Sequence, residues 1–432
     1  MIGPTIAASM GNRSGLSMTE ATTHVVLAGQ LVDVVGGTVL PAQAIHLAGD
    51  RIVAVEPISA GLPDGVSTTD LTDQFVLPGM IDCHAHVIGQ LESGHGYAGM
   101  VMTTAAREAL AGVANARDTI AAGFTTVRDV GTFHALTDIA LRDAINGGWV
   151  LGPRMQCAGA FITVPGGGGD VSGFAINVDQ GIPRELRYGV VRNVDEVRDA
   201  VRRIIQGGAE LIKVIGTGAV LTEGTTPGAC EFTEAEIRAA VEEAALYGMF
   251  VATHAHGAEG IKRAVRAGVR SVEHGSLMDD ESIAMMADSG TYLVADIYNG
   301  DYINEIGTRD GWSADIMRKN RETTDAQREG FTKAIAAGVR IAYGTDSGVY
   351  PHRDAANQLP YMVRYGMTPM QGIQAATIVA AECMGWDDRV GSITPGKFAD
   401  FVAVKADPIA SNLESLRHLD VVIKGGKPVS FD

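Results

Sequence analysis

The chain has 432 residues, 46% of them hydrophobic, enough for a large buried core; 51 acidic against 34 basic residues give a net charge of −17. That balance excludes a phosphate-backbone partner, which needs a basic stripe, and an anionic membrane surface; it fits a soluble, cytoplasmic protein. Cys83, Cys157, Cys230 and Cys383 are far apart with no CxxC pair, which points to reduced thiols and not to a disulfide framework.

In chain order, residues 1–22 lack a basic start and a sustained apolar run, so no secretory signal is read there, and Gly3 and Ser14 disfavour a helix. The segment is expected to be a disordered tail. No run approaches the roughly 18 apolar residues of a membrane span. From residue 24 onward short strands follow: 24–28, a break at Gly29-Gln30, 31–35, a turn at Gly36-Gly37, then 44–47 and 51–55 flanking the hairpin signal Gly49-Asp50. The far end has the same character, at 401–404 and 421–426. The two β-rich ends are expected to form one small β-sandwich domain, 23–76 plus 391–432.

Between them short apolar strands alternate with helical segments, the pattern of parallel βα units. Eight candidate strands are read: one ending at His84, then 125–129, 155–161, 211–215, 250–254, 271–274, 292–296 and 340–346. Thr233-Glu-Ala-Glu236 is a capping box opening a helix. Ala-Gly-Val-Arg recurs at 267–270 and 337–340, each glycine ending a helix before a strand. The fold class is α/β, with a (β/α)8 TIM-type barrel over 77–390. Long loops at 162–193 and from 297 to about 325 are expected to act as lids.

The chemistry concentrates at strand ends. His84 and His86 sit at i and i+2 on a strand, so their imidazoles share one side, as a borderline metal such as zinc prefers. Lys213 is flanked by aliphatic residues in Ala209-Glu-Leu-Ile-Lys-Val-Ile215. A buried ammonium is costly and tends to lose its proton. It either finds a salt bridge on a neighbouring strand or reacts with CO2 to give a carbamate able to bridge two cations. His254 and His274, read singly, are hydrogen-bonded core residues; read with the HxH pair and Lys213, they are metal ligands. Asp346 in Tyr343-Gly-Thr-Asp-Ser-Gly348 either caps a turn or serves as ligand and general base. Two divalent cations at such a centre would activate water and polarise a carbonyl. The glycine run at 166–169 lacks the following Lys-Ser/Thr and helix of a phosphate loop. His95, His134 and His352 are read as loop residues on the catalytic side, any of which could touch substrate, with solvation the preferred reading.

These segments together resemble the amidohydrolase superfamily: Leu77-Pro-Gly-Met-Ile-Asp-Cys-His-Ala-His86, Ile212-Lys213, Thr253-His-Ala-His256, Val272-Glu-His-Gly275, Gly344-Thr-Asp346 and Gly391-Ser-Ile-Thr-Pro-Gly-Lys-Phe-Ala-Asp400. The chain is most similar to the branch holding Xaa-Pro dipeptidases, carboxypeptidase-like and ochratoxin-degrading amidohydrolases. The resemblance implies a binuclear hydrolase of amide bonds with two Zn2+ ions. His84, His86 and Asp346 would hold one ion, His254 and His274 the other, with carboxylated Lys213 between them. It implies a small-molecule amide or dipeptide substrate, an N-acyl amino acid or an ochratoxin-like compound, and a homo-oligomer. His256, placed in the loop past the fifth strand, would touch substrate or make a hydrogen bond behind the ligands. Where many relatives carry Gly-Gly-His-Gly-Asp, this chain has Gly166-Gly-Gly-Gly-Asp170, so Gly168 replaces that His and suggests a wider pocket. A mononuclear aminohydrolase acting on a heterocycle, which needs no bridging carbamate, and a non-catalytic barrel scaffold are the rival readings.

Overall fold

The computed structural model describes residues 22–89 and 96–431. The expected tail therefore lies outside the described residues except for Thr22, and so does His95.

Strands from both ends of the chain share one sheet. In chain order they are β1 (His24–Asp33), β2 (Thr38–Ala48), β3 (Arg51–Pro57) and β4 (Ser67–Pro78). The sheet order is β16-β15-β14-β4-β1-β2-β3, where β14 is Phe401–Val404, β15 Val421–Lys424 and β16 Lys427–Pro428. The ladder curls on itself: Ile52 N–H donates to Lys397 O and Gly396 N–H to Ile52 O, at 3.0 and 2.8 Å. Its apolar face, including Val26, Ile45, Leu47, Phe401 and Ile423, forms a separate core. The break expected at Gly29-Gln30 is a bulge inside one strand, with the register against β4 shifting between Ala28 and Gln30. A Cβ at Gly29 would run into the backbone of Thr72.

The apolar run from Phe75 to Cys83 serves two sheets. Pro78 ends β4, and β5 (Met80–Ala85) starts the parallel strands that carry the site. Gly79 makes the crossing because a side chain there would strike Thr125. Next come β6 (Phe124–Asp129), β7 (Arg154–Cys157), β8 (Phe161–Ile162), β9 (Ile212–Ile215), β10 (Val251–Gly257), β11 (Ser271–Leu277), β12 (Tyr292–Ala295) and β13 (Ile341–Tyr343). They pair in parallel as two sheets, β5-β6-β7 and β8 through β13. The expected third strand is thus two, divided at Ala158-Gly159-Ala160, where Gly159 has φ +75°. The other seam is bridged beyond β13: Asp346 N–H donates to His84 O at 2.7 Å, His86 N–H to Ser347 O at 2.8 Å.

The local signals hold. Thr233 and Glu236 form a reciprocal capping box on the helix Glu234–Ala245. Gly268 and Gly338 have φ of +91° and +77° where helices hand over to strands. The segment from 297 to about 325 differs from the expected loop. It contains the helix Asn299–Asp310, ended by left-handed Gly311, and the start of the helix Ala314–Ala336, capped by Ser313. Those two capping residues allow a helical hairpin where a coil was expected. No helix among the described residues is long and apolar enough to cross a membrane.

Candidate metal centre and active-site cleft

The site is built where β5, β9, β10, β11 and the segments after β12 and β13 converge. His84 and His86 project from the end of β5 to one side, as their spacing requires. Both Nε2 atoms face the Asp346 carboxylate, at 3.5 and 3.4 Å from Oδ1. Their other nitrogens are fixed from behind. His86 Nδ1 is 2.8 Å from Gly131 O, which can only accept, so that nitrogen carries a proton and Nε2 is the one turned to Asp346; against burial, that carboxylate raises the ring's pKa. His84 Nδ1 is 2.8 Å from Glu273 Oε2 and is oriented in the same way.

Glu273 is fully buried and stays charged. Burial works to raise its pKa, yet the Arg128 guanidinium at 2.9 Å, His84 and Lys213 hold the carboxyl well below the usual range. Arg128 also donates to Cys83 O at 2.5 Å and to Ser271 Oγ at 3.1 Å, so one buried cation ties β5, β6 and β11 together. For His84, burial and the nearby Lys213 outweigh Asp346 and Glu273 and lower its pKa, leaving a neutral imidazole.

On the other side stand His254, His256 and His274, each with a ligating nitrogen within 4.8 Å of the others. His254 Nε2 lies 3.3 Å from Gly218 O, so its free nitrogen is Nδ1. His274 Nδ1 is 3.1 Å from Asp296 Oδ1. Burial first, and then neighbouring imidazoles and Lys213, push His254 well down and His256 down to about 3. His256 is not in a loop. It is 5% exposed on β10, which runs on to Gly257, and the i, i+2 spacing turns it to the same side as His254. His256 Nδ1 is 2.8 Å from Ser276 Oγ. His134 and His352, expected in solvent, are each 3% exposed, His352 lying within hydrogen-bond distance of Thr119 and Ser347.

Lys213 sits within β9 and not beyond it, and is 1% exposed. The salt bridge that would explain it is absent among the described residues: its Nζ has no hydrogen-bond partner. Burial lowers its pKa to about 8, against the pull of Glu273, so a free amine is accessible near neutral pH. An orphaned amine among five neutralised or anchored imidazoles and the Asp346, Asp296 and Glu273 carboxylates suits a cation-binding centre better than a packed core.

Asp296, just past β12, was not singled out in the sequence. It completes a third potential ligand group with His274 and Asp346. Gln327 Nε2 donates to it at 2.7 Å, and Asn299 Nδ2 donates to Asp296 and Asp346 at 3.1 Å each. Burial opposes its ionisation but His274 lowers its pKa to about 2. Its signal was available: it ends a strand, as the other candidates do. His274 and Asp346 have φ of +68° and +57°, a left-handed backbone that costs non-glycine residues energy and recurs where geometry is imposed by function.

These groups open into a cleft of about 130 Å³ whose outer wall includes Ile88, Met100, Phe133, Phe161 and Val220. Gly168 lines it too, but the glycine run is not a gap. A Cβ at Gly168 would lie 3.1 Å from Ile215 and 3.2 Å from Ala219; at Gly169 it would meet Ile215 at 2.8 Å, at Gly167 Glu231 at 2.6 Å. Gly168 N–H donates to Glu231 Oε2 at 2.8 Å. The glycines permit close backbone packing against residues 215–231, and the wider pocket expected from missing side chains is not formed there.

The sequence model of the Amidohydrolase family matches residues 75–429. Ochratoxinase from Aspergillus niger is 30% identical over 438 residues, covering 95% of this chain and 87% of its own. Among solved structures, a Xaa-Pro dipeptidase with methionine bound in its active site has TM-score 0.87 at 38% identity, covering 94% of this chain and 99% of that one. The structure of A. niger ochratoxinase has TM-score 0.84 at 29% identity, with coverages of 95% and 96%.

Proposed function

From its membership of the amidohydrolase family, to which this chain belongs as a hydrolase acting on amide C–N bonds, we propose that it is a binuclear metal-dependent enzyme. Its substrates are N-acyl amino acids, dipeptides or ochratoxin-like amides. The parallel sheets act as one barrel over 77–390, and 23–76 with 391–432 form the accessory β domain. His84, His86 and Asp346 hold one divalent ion, most simply Zn2+; His254 and His274 hold the second. The Lys213 amine would add to CO2, losing a proton, and the resulting carbamate would supply anionic oxygen ligands to the centre. When bound, the ions supply Lewis acidity and lower the pKa of water.

The chain's own groups do the rest. Asp346 is oriented by Asn299 and takes the proton of the attacking water. It then returns that proton to the departing amine, which completes hydrolysis of the C–N bond. Glu273 and the Gly131 carbonyl keep His84 and His86 in the tautomer that offers Nε2. His256, held by Ser276, faces the substrate from β10.

The observation carrying this reading is the sharing of residues among the three ligand groups, with Asp346 in two and His274 in two, beside the unpartnered Nζ of Lys213. Metal content per chain, measured on protein loaded with zinc in the presence of bicarbonate, tests it. About two ions per chain supports the binuclear centre; one points to a mononuclear aminohydrolase and none to a scaffold.

A further inference from the structure

The charges facing the cleft are unevenly spread. Lys213, Asp296, Asp346 and the imidazoles all belong to the candidate metal centre. Among the described lining residues there is no arginine, and Lys213 is the only lysine. One charge stands apart from the centre: Glu108.

Glu108 is in the first turn of the helix Ala105–Ala121, which Thr104 caps. Its side chain is turned into the cleft wall and is 13% exposed. No Lys or Arg among the described residues forms an ion pair with it; its ion-pair partner among them is His134 Nε2, at 3.7 Å. His134 is itself 3% exposed, and neither ring nitrogen makes a hydrogen bond, though Nδ1 lies 3.4 Å from Glu185. A carboxyl at a helix start needs nothing more than solvent and the helix dipole. Here it lines the same cleft as Met100 and Phe133, and burial pushes its pKa up to about 7. Among the described residues that desolvation is offset only by His134.

We propose that Glu108 is a specificity-determining residue that receives a protonated amine of the substrate, so that the preferred amides carry a cationic group within the cleft. The inference rests on amide hydrolysis in this same cleft. An ammonium completes the pairing that His134 leaves unfinished, and a charge-assisted hydrogen bond in a partly dry wall gains more than it does in water. The cation is either the α-ammonium of a dipeptide or a basic side chain.

Two matched pairs of substrates separate these sources. The first is a free dipeptide against its N-acetyl twin. The second is an N-acetylated dipeptide containing lysine against the same compound with norleucine. The zinc-loaded enzyme is expected to favour the charged member of one pair by roughly tenfold to a hundredfold in kcat/KM, chiefly through KM; the pair that responds identifies the source. Glu108→Gln should collapse that ratio toward one. Glu108→Asp should restore part of it, and Glu108→Lys should invert it in favour of an N-succinyl compound. Equal cleavage within both pairs, or a preference unchanged in Glu108→Gln, overturns the proposal while leaving amide hydrolysis intact. If the variants do not fold, inhibition of the native enzyme decides. Butylamine should inhibit at least about tenfold more strongly than butanol, and equal inhibition overturns the proposal. Failure to cleave any of the four amides counts against amide hydrolysis instead; calorimetric binding of butylamine and butanol then judges Glu108 alone.

Discussion

The two halves of the candidate centre are supported by different physics. Behind His84 lies an ionic relay, Glu273 to Arg128, buried in the strands and spanning 145 residues of sequence. Behind His254 and His256 lie a backbone carbonyl and a serine hydroxyl. A buried ion pair is an all-or-none device. Whole, it costs little; with one partner removed, an uncompensated charge remains where water cannot reach it. Neutral partners fail gently, because losing one forfeits a single hydrogen bond. The surroundings of His84 should be rigid and intolerant and those of His254 and His256 adjustable, while His86, backed by the Gly131 carbonyl, and His274, backed by the Asp296 carboxylate, reverse the contrast within their own halves.

The largest effect is expected at Lys213, the residue proposed to bridge the two halves. Lys213→Ala should lower kcat/KM by at least about a hundredfold, the upper range for losing support of a ligand set, and should lower metal content with it. Short carboxylic acids are expected to restore part of the rate by standing in for the carbamate. Near-native activity in this variant would remove the bridging role.

The relay comes next. Arg128→Met leaves Glu273 without its guanidinium partner, with only His84, Ser271 and the nearby Lys213 to compensate it, so a stability loss of about 3–5 kcal/mol is expected in chemical denaturation. Glu273→Gln keeps the shape and should instead show about tenfold to a hundredfold weaker metal retention in chelator competition. Ser276→Ala, its counterpart in the second half, should cost only about 1 kcal/mol. Equal losses on the two sides would erase the contrast.

The imidazoles sharpen it further. His254→Ala is expected to lose one metal ion, and His256→Ala to keep both while kcat/KM falls. The opposite pattern would make His256 the ligand, an outcome its place beside His254 on β10 leaves room for.

What the sequence made legible follows from this contrast. The six candidate ligands lie in short local motifs, HxH, Ile-Lys, His-Ala-His, Glu-His-Gly and Gly-Thr-Asp, each on or just beyond a strand, and local patterning locates strands. Glu273 adjoins a candidate ligand in the sequence, but its value depends on Arg128, which only the packing of β6 beside β5 brings near. Asn299 reaches the site from a helix that was expected to be loop, and Gln327 from a helix whose first part was, so nothing local marked either as a site residue. The glycine run at 166–169 was read as missing bulk; whether absent side chains mean space or close packing is a tertiary fact, and here Ile215, Ala219 and Glu231 occupy the space. Gly168→His is therefore expected to destabilise the chain by about 1–3 kcal/mol through overpacking. It should also alter the ratio of kcat/KM for an N-aroyl-phenylalanine and a Xaa-Pro dipeptide. An unchanged ratio would remove position 168 from substrate recognition.

A small effect is expected in the pH dependence of stability at that same loop, away from the metal ligands. Glu231 receives the Gly168 N–H, and burial, only partly offset by that hydrogen bond, raises its pKa from 4.5 to about 7. The folded chain thus holds this proton more tightly than the unfolded chain, where the carboxyl titrates near its ordinary value. The sign follows: Glu231's favourable contribution is fully present below about pH 4 and is lost as pH rises through about 7. Glu231→Gln still accepts the Gly168 N–H and has no proton to lose. The native chain should therefore lose stability relative to this variant between about pH 4.5 and pH 8, by about 1–2 kcal/mol after discounting for partial exposure. Denaturant midpoints of both proteins across that range measure the difference. A constant difference, or one that favours the native chain at high pH, would mean that the carboxylate is already well solvated and that the packing of the glycine run is looser than its close approaches imply.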